Sequence, residues 1–250
     1  MRLLLASWWL QFRLLSRSPF FMGMAILTPL AYGSIALMMA GGHMSARIML
    51  GTGLMGAWST TLFGAAEALF MQRFAGTLEL MIGAPKSLVA PVLGFSAATV
   101  TLGVYSIMAV VVLGMSAGGV DIAEVRDPLG STAAILVVVA ALISMGTLLA
   151  GLCVLTRRAM EITNIMEYPV WLACGLVVPS AALWPPLSSL GQLFPLGWAM
   201  MAVDRAVAGA NPWPIGAVAV GMAVLYVLAG MAVLHRVDLL ARERGTLRLR

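Results

Sequence analysis

Two carboxylates stand where a carboxylate is costly. Glu67 and Glu167 fall inside apolar segments, each about one turn from a segment end, and an ionisable group at the centre of a bilayer costs several kcal/mol. Such a residue can gate a pathway, admit cargo or pass protons. It can also snorkel and pair with a nearby cation: Arg73 for Glu67, and Arg157 or Arg158 for Glu167. Cys153 and Cys174 lack CxxC or CxxH partners and read as small packing residues. His43 and His235 stand alone at the ends of apolar runs, whereas zinc requires clustered ligands. No G-x-x-x-x-G-K-[ST] occurs, so no nucleotide-phosphate cradle is expected here, and no metal or cofactor on this chain.

The elements that position these groups follow from composition. Of 250 residues, 61% are hydrophobic and only 10% charged, against about 45–50% and about 25% in an ordinary soluble domain. A span takes roughly 20 apolar residues, so the length fits about six spans and leaves no room for a soluble catalytic domain. Apolar runs at about 20–40, 48–70, 88–116, 132–155, 164–183 and 213–235 supply the six. Residues 1–19 read as a basic amphipathic helix on the membrane surface, with Trp8, Trp9 and Phe12 at headgroup depth, and not as a cleaved signal peptide. The fold class is therefore all-α: one polytopic membrane domain over 1–250, with residues 236–250 as a tail.

Charge orients the bundle. With the N-terminus inside, the inner segments hold Arg2, Arg13, Arg17, Arg73, Lys86, Arg157, Arg158, Arg236, Arg242, Arg244, Arg248 and Arg250, and the outer ones only Arg47, Arg126 and Arg205. Both termini are then cytoplasmic, and the basic excess is a topology signal, with no nucleic-acid partner implied. The near-exclusive use of arginine over lysine suggests a GC-rich bacterial genome, hence a bacterial cytoplasmic membrane. Segment 184–212 is long, apolar and broken by Pro185, Pro186 and Pro195; with Asp204 and Arg205 near its end, it predicts a re-entrant or interfacial helical hairpin on the outer face.

The stretch 72–85, QRFAGTLELMIGAP, departs from the apolar runs on either side. Thr77 can cap a short helix, Glu79 complements its positive end, and Gly83 with Pro85 ends it. Phe74, Leu78, Met81 and Ile82 share one face, and Gln72, Arg73, Gly76, Glu79 and Gly83 lie toward the other. The stretch resembles the R-x-x-G-T-L-E-x-x-x-x-x-P signature of ABC-2-type transporter permeases. GLVVP at 175–179, closing the fifth span, agrees with the same family, and FPLGWAMMAVDRAV at 194–207 is similar to its N-P-x-x-Y-x-x-x-x-x-R-like segment before the last span. Gln72, Phe74 and Ala75 replace charges common around the arginine in that family, and Phe194 stands where Asn is common.

The resemblance implies a cytoplasmic coupling helix after the second span, with Arg73, Gly76, Thr77, Leu78, Glu79 and Leu80 contacting a separate ABC ATPase subunit that carries ATP and Mg. It further implies a second permease copy or a paralogous permease, membrane lipid around the pair, and export through a pathway between two six-span halves. An ion-coupled secondary transporter, or a non-transporting scaffold or immunity protein, is the alternative. The topology is testable with single cysteines in a background lacking Cys153 and Cys174. An impermeant thiol reagent on intact cells should label position 124 and leave 80 and 158 untouched, and the opposite pattern would overturn the orientation.

Overall fold

The computed structural model describes residues 2–74, 76, 81, 88–120, 125–156, 158–179 and 184–244, which are helical with no strand. In chain order the helices are α1 (Arg2–Arg17), α2 (Pro19–Met39), α3 (Ala46–Phe74), α4 (Val89–Ser116), α5 (Pro128–Leu155), α6 (Ala159–Ala173), α7 (Pro185–Gly191), α8 (Pro195–Val207) and α9 (Trp213–Arg244). Local chemistry sets many of these limits. Pro19, Pro128, Pro185 and Pro195 open helices, where a missing N–H costs nothing. Asp127 caps α5 by accepting from the Gly130 N–H at 2.9 Å.

Among the described residues, four helices are long and apolar enough to cross a membrane: α2, α4, α5 and the 213–239 part of α9. The helices at the second and fifth expected positions do not qualify by themselves, for different reasons. Helix α3 is 29 residues long, but it sits at the centre of the bundle with α2, α4, α5 and α6 around it. Its Thr52, Ser59, Thr60 and Thr61 are buried against protein, so it has no need of a fully apolar surface.

Helix α6 is short. It spans 15 residues, about 22 Å at 1.5 Å per residue, and ends ten residues before the expected limit at 183. Gly175 adopts φ +69°; its N–H reaches Leu172 O, and the Leu176 N–H reaches Trp171 O. This paired pattern satisfies the last carbonyls and stops the helix. The expected tail also differs: residues 236–244 continue α9, where Val237 and Asp238 are buried.

Close approach is made by small residues. Gly53 lies under the Ile107 backbone, Gly103 under Ala57 and Thr60, and Gly64 under Thr99, so the GTGLMG run at 51–56 serves contacts within this chain. Pro29, inside α2, fits over Gly56. A proline leaves the carbonyl four residues earlier without its helical donor, and the Ser106 hydroxyl of α4 supplies one to Ala25 O at 2.7 Å. Helix α1 runs along the first half of α4. Leu4, Ser7 and Trp8 close over Gly94, and the Trp8 indole donates to Thr101 at 3.1 Å. Its inward face is Ser7, Gln11 and Leu15, leaving Leu5, Trp9, Leu10 and Leu14 exposed. Gly103→Leu should destabilise the purified chain by about 1–3 kcal/mol or more through overpacking. Gly221→Ala, at a position with nothing within 4 Å of an added Cβ, should not; detergent unfolding curves of both compare them directly.

Candidate functional site

An open cavity of about 450 Å³ lies between α2, α3 and the end of α6. Its walls follow helical spacing: Tyr32, Ile35, Ala36 and Met39 from α2, then Ile48, Thr52 and Met55 from α3, closed by Trp171, Leu172, Val177 and Val178. Nearly all of this surface is apolar. The Thr52 hydroxyl donates to its own helix at Ile48 O, 2.8 Å away. The Trp171 indole N–H is buried without a partner, so it keeps an unused donor beside the cavity.

One turn deeper along the same seam stands Glu167. Met55 and Ser59 are one turn apart on α3, as are Trp171 and Glu167 on α6. The Ser59 hydroxyl donates to Glu167 Oε1 at 2.8 Å, and the Trp58 indole donates to the Glu167 backbone carbonyl at 3.3 Å. Glu167 as a whole is only 8% exposed. Tyr32 and Tyr168 meet hydroxyl to hydroxyl between α2 and α6, within electrostatic range of Glu167. Of the two cations expected to pair with Glu167, Arg158 reaches Glu161 at 3.8 Å instead, and residue 157 lies outside the described residues.

The other end of the cavity is fixed by Arg47. From the first turn of α3, its guanidinium donates to Gly175 O at 2.8 Å, to Val177 O, and to Asp204 Oδ2 of α8 at 3.3 Å. Its Nε lies 3.0 Å from Asp204 Oδ1, an ionic contact without hydrogen-bond alignment. One side chain thereby satisfies carbonyls left free where α6 stops, and ties that end to α8. Burial pushes the Asp204 carboxyl above its ordinary 3.8, and Arg47 pulls it back only in part. A smaller polar cavity of about 310 Å³ adjoins this contact, lined by Cys174, Ser188, Gln192 and Asp204 among others.

The remaining expected residues separate clearly. Pro185, Pro186 and Pro195 start α7 and α8, a helical pair joined by a turn at 192–194. Arg205 is exposed at the end of α8, and its carbonyl accepts from the Ala210 N–H at 2.8 Å. Gly76 is an exposed turn residue with φ +68°, so its left-handed backbone, and not a helix face, is what calls for glycine. Met81 packs against the cluster formed by Leu69, Leu88 and Val92, in keeping with the bundle-facing side assigned to it. Thr77, Leu78, Glu79 and Leu80, and the side chains of Glu67 and Arg73, lie outside the described residues. Among the described residues no group of three His, Cys, Asp or Glu converges as a metal site would.

Sequence reasoning missed Arg47, Ser59 and Trp171. Arg47 carried a signal: the charge count assigns it to the side expected to hold few cations, where an arginine calls for a protein partner. No family model, curated protein or solved structure matches the chain.

Replacing Arg47 by leucine strands two carbonyls and a part-buried carboxylate. Each orphaned group costs about 1–3 kcal/mol, so Arg47→Leu should lower the unfolding midpoint well below that of Asp204→Asn, which keeps an acceptor. Because the folded-state pKa of Asp204 is the higher one, this group's contribution to stability falls as pH rises above 3.8. Asp204→Asn should remove that slope, as midpoints measured across acidic pH will show.

Proposed function

We propose that the chain is the permease subunit of an ATP-binding-cassette exporter in a bacterial cytoplasmic membrane. It works with a second copy or a paralogous permease, both termini inside, and is driven by separate ATPase subunits that bind ATP and Mg. The observation that carries this reading is the 72–85 stretch, which begins in the last turn of α3 and leads toward α4, with its likeness to the ABC-2-type coupling segment. Gly76 supports it: the residue is exposed, and among the described residues no atom lies within 4 Å of where a side chain would begin, so a partner's backbone has room to approach. Arg73 and residues 77–80 complete the docking surface in this reading. Helix α3 serves as the second span, buried by its neighbours, and α6 with the α7–α8 pair serves as the fifth span and outer hairpin.

A second reading, an ion-coupled transporter, is favoured by one arrangement. A short helix ended by a glycine, with a buried carboxylate on it, is the form that coupling sites take in secondary transporters. Purification in mild detergent distinguishes the two. A nucleotide-binding protein should co-purify with the chain. Gly76→Trp should lose it while inserting normally, and Gly76→Asn should keep it, since asparagine tolerates a left-handed backbone. A folded Gly76→Trp chain that retains the ATPase in full overturns the docking assignment, and cargo transport by the chain alone favours ion coupling.

A further inference from the structure

We propose that the cavity between α2, α3 and α6 binds a lipophilic cation, with its apolar body against Ile35, Ile48 and Met55 and its positive charge beside Glu167. The inference rests on the reading of the chain as a transporter and names the class of cargo.

The carboxylate supplies the first argument. Glu167 is nine-tenths buried, yet its side chain has one neutral donor, Ser59, and no described lysine or arginine pairs with it. A buried charge is costly unless it is paired, and the bundle provides no partner among the described residues. A bound cation would supply it. The surrounding groups suit a diffuse charge: Tyr32 lines the cavity and comes within electrostatic range of Glu167, one turn beyond the lining, and Trp171 adds a second ring to the wall; ring faces attract cations.

The cavity supplies the second. Its volume of about 450 Å³ lies within the range of small-molecule sites, about 300–1,000 Å³, and Tyr32 belongs both to its wall and to the polar cluster below. No described lysine, arginine or histidine lines it, and Arg47 at its far end is engaged by Gly175 O, Val177 O and Asp204, which leaves a phosphate without a cation to hold it. The headgroup of an anionic phospholipid placed at Glu167 would set anion against anion. The chemistry therefore favours a hydrophobic cation over an anionic lipid.

The test uses the full chain in detergent and equilibrium dialysis of radiolabelled tetraphenylphosphonium, with tetraphenylborate as a competitor of like shape and opposite charge. One saturable site per chain is expected, which tetraphenylborate fails to compete for. Glu167→Gln should weaken binding at least tenfold, whereas Glu161→Gln, an exposed carboxylate on the same helix, should leave it unchanged. Ile35→Trp, at the exposed rim, should block the cavity with Glu167 intact, so the proposal stays testable even where Glu167→Gln folds poorly. Equal binding of both ions, or undiminished phosphonium binding in folded Glu167→Gln or Ile35→Trp, overturns it. So does co-purified phospholipid that phosphonium cannot displace and that Ile35→Trp removes, which would make the cavity a lipid groove. Binding is read without ATP or partner, so its failure leaves the exporter reading standing, and absence of an ATPase leaves the cation site standing.

Discussion

How near a neighbour can come to α3 governs the rest of the molecule. Gly53, Gly56 and Gly64 admit α2 and α4 to its backbone, and Gly51 admits the chain that follows α6, meeting the Leu176 carbonyl. In a lipid-solvated bundle water does not drive helices together, and close packing with interhelical hydrogen bonds carries that load. Helix α3 therefore acts as a rigid post. Arg47, Thr52, Met55, Trp58 and Ser59, spaced along it, contribute to both ends of the cavity and to the carboxylate beneath it.

The peripheral helices differ in how firmly they are tied to that post. Helix α4 lies along much of its length, whereas α6 packs mainly on α3 and α7 among the described residues. The free side of α6 presents Asn164, Ile165 and Tyr168 outward, a face of mixed polarity. Its fixed points are the Glu167–Ser59 contact in the middle and the Arg47 contacts at the end. A displacement of α6 must break one of these or carry α8 with it through Asp204. The cavity wall formed by α6 is thus the least supported of the three, and the polar contacts, more than packing, hold its position.

Hydropathy made the apolar segments legible because lipid exposure leaves long uniform runs, as in α4 and α5. It gave α3 the right extent but not its central place, since Gly, Thr and Ser in an apolar run do not say which neighbour covers them. It misplaced the end of α6 because residues 174–183 stay apolar past Gly175, and a left-handed backbone leaves no mark on hydropathy; the glycine itself was the available signal. Glu167 was legible as an unusual residue, but its partner Ser59 lies 108 positions away, beyond any local pattern. Arg47 and Asp204, 157 positions apart, were each visible only as isolated charges.

The pairing of Pro29 with Ser106 bears on how this sequence can drift. Serine at 106 serves a carbonyl that exists unserved only because residue 29 is proline. Losing the serine first strands a buried acceptor in an apolar setting, whereas losing the proline first restores an internal helical bond and makes the serine dispensable. The order of substitution is therefore constrained: homologous chains should include those with both residues, those with neither, and those with serine alone, while proline without a hydroxyl opposite it should be rare. Such an asymmetric association between columns 29 and 106 is a historical trace that a single hydrogen bond can leave.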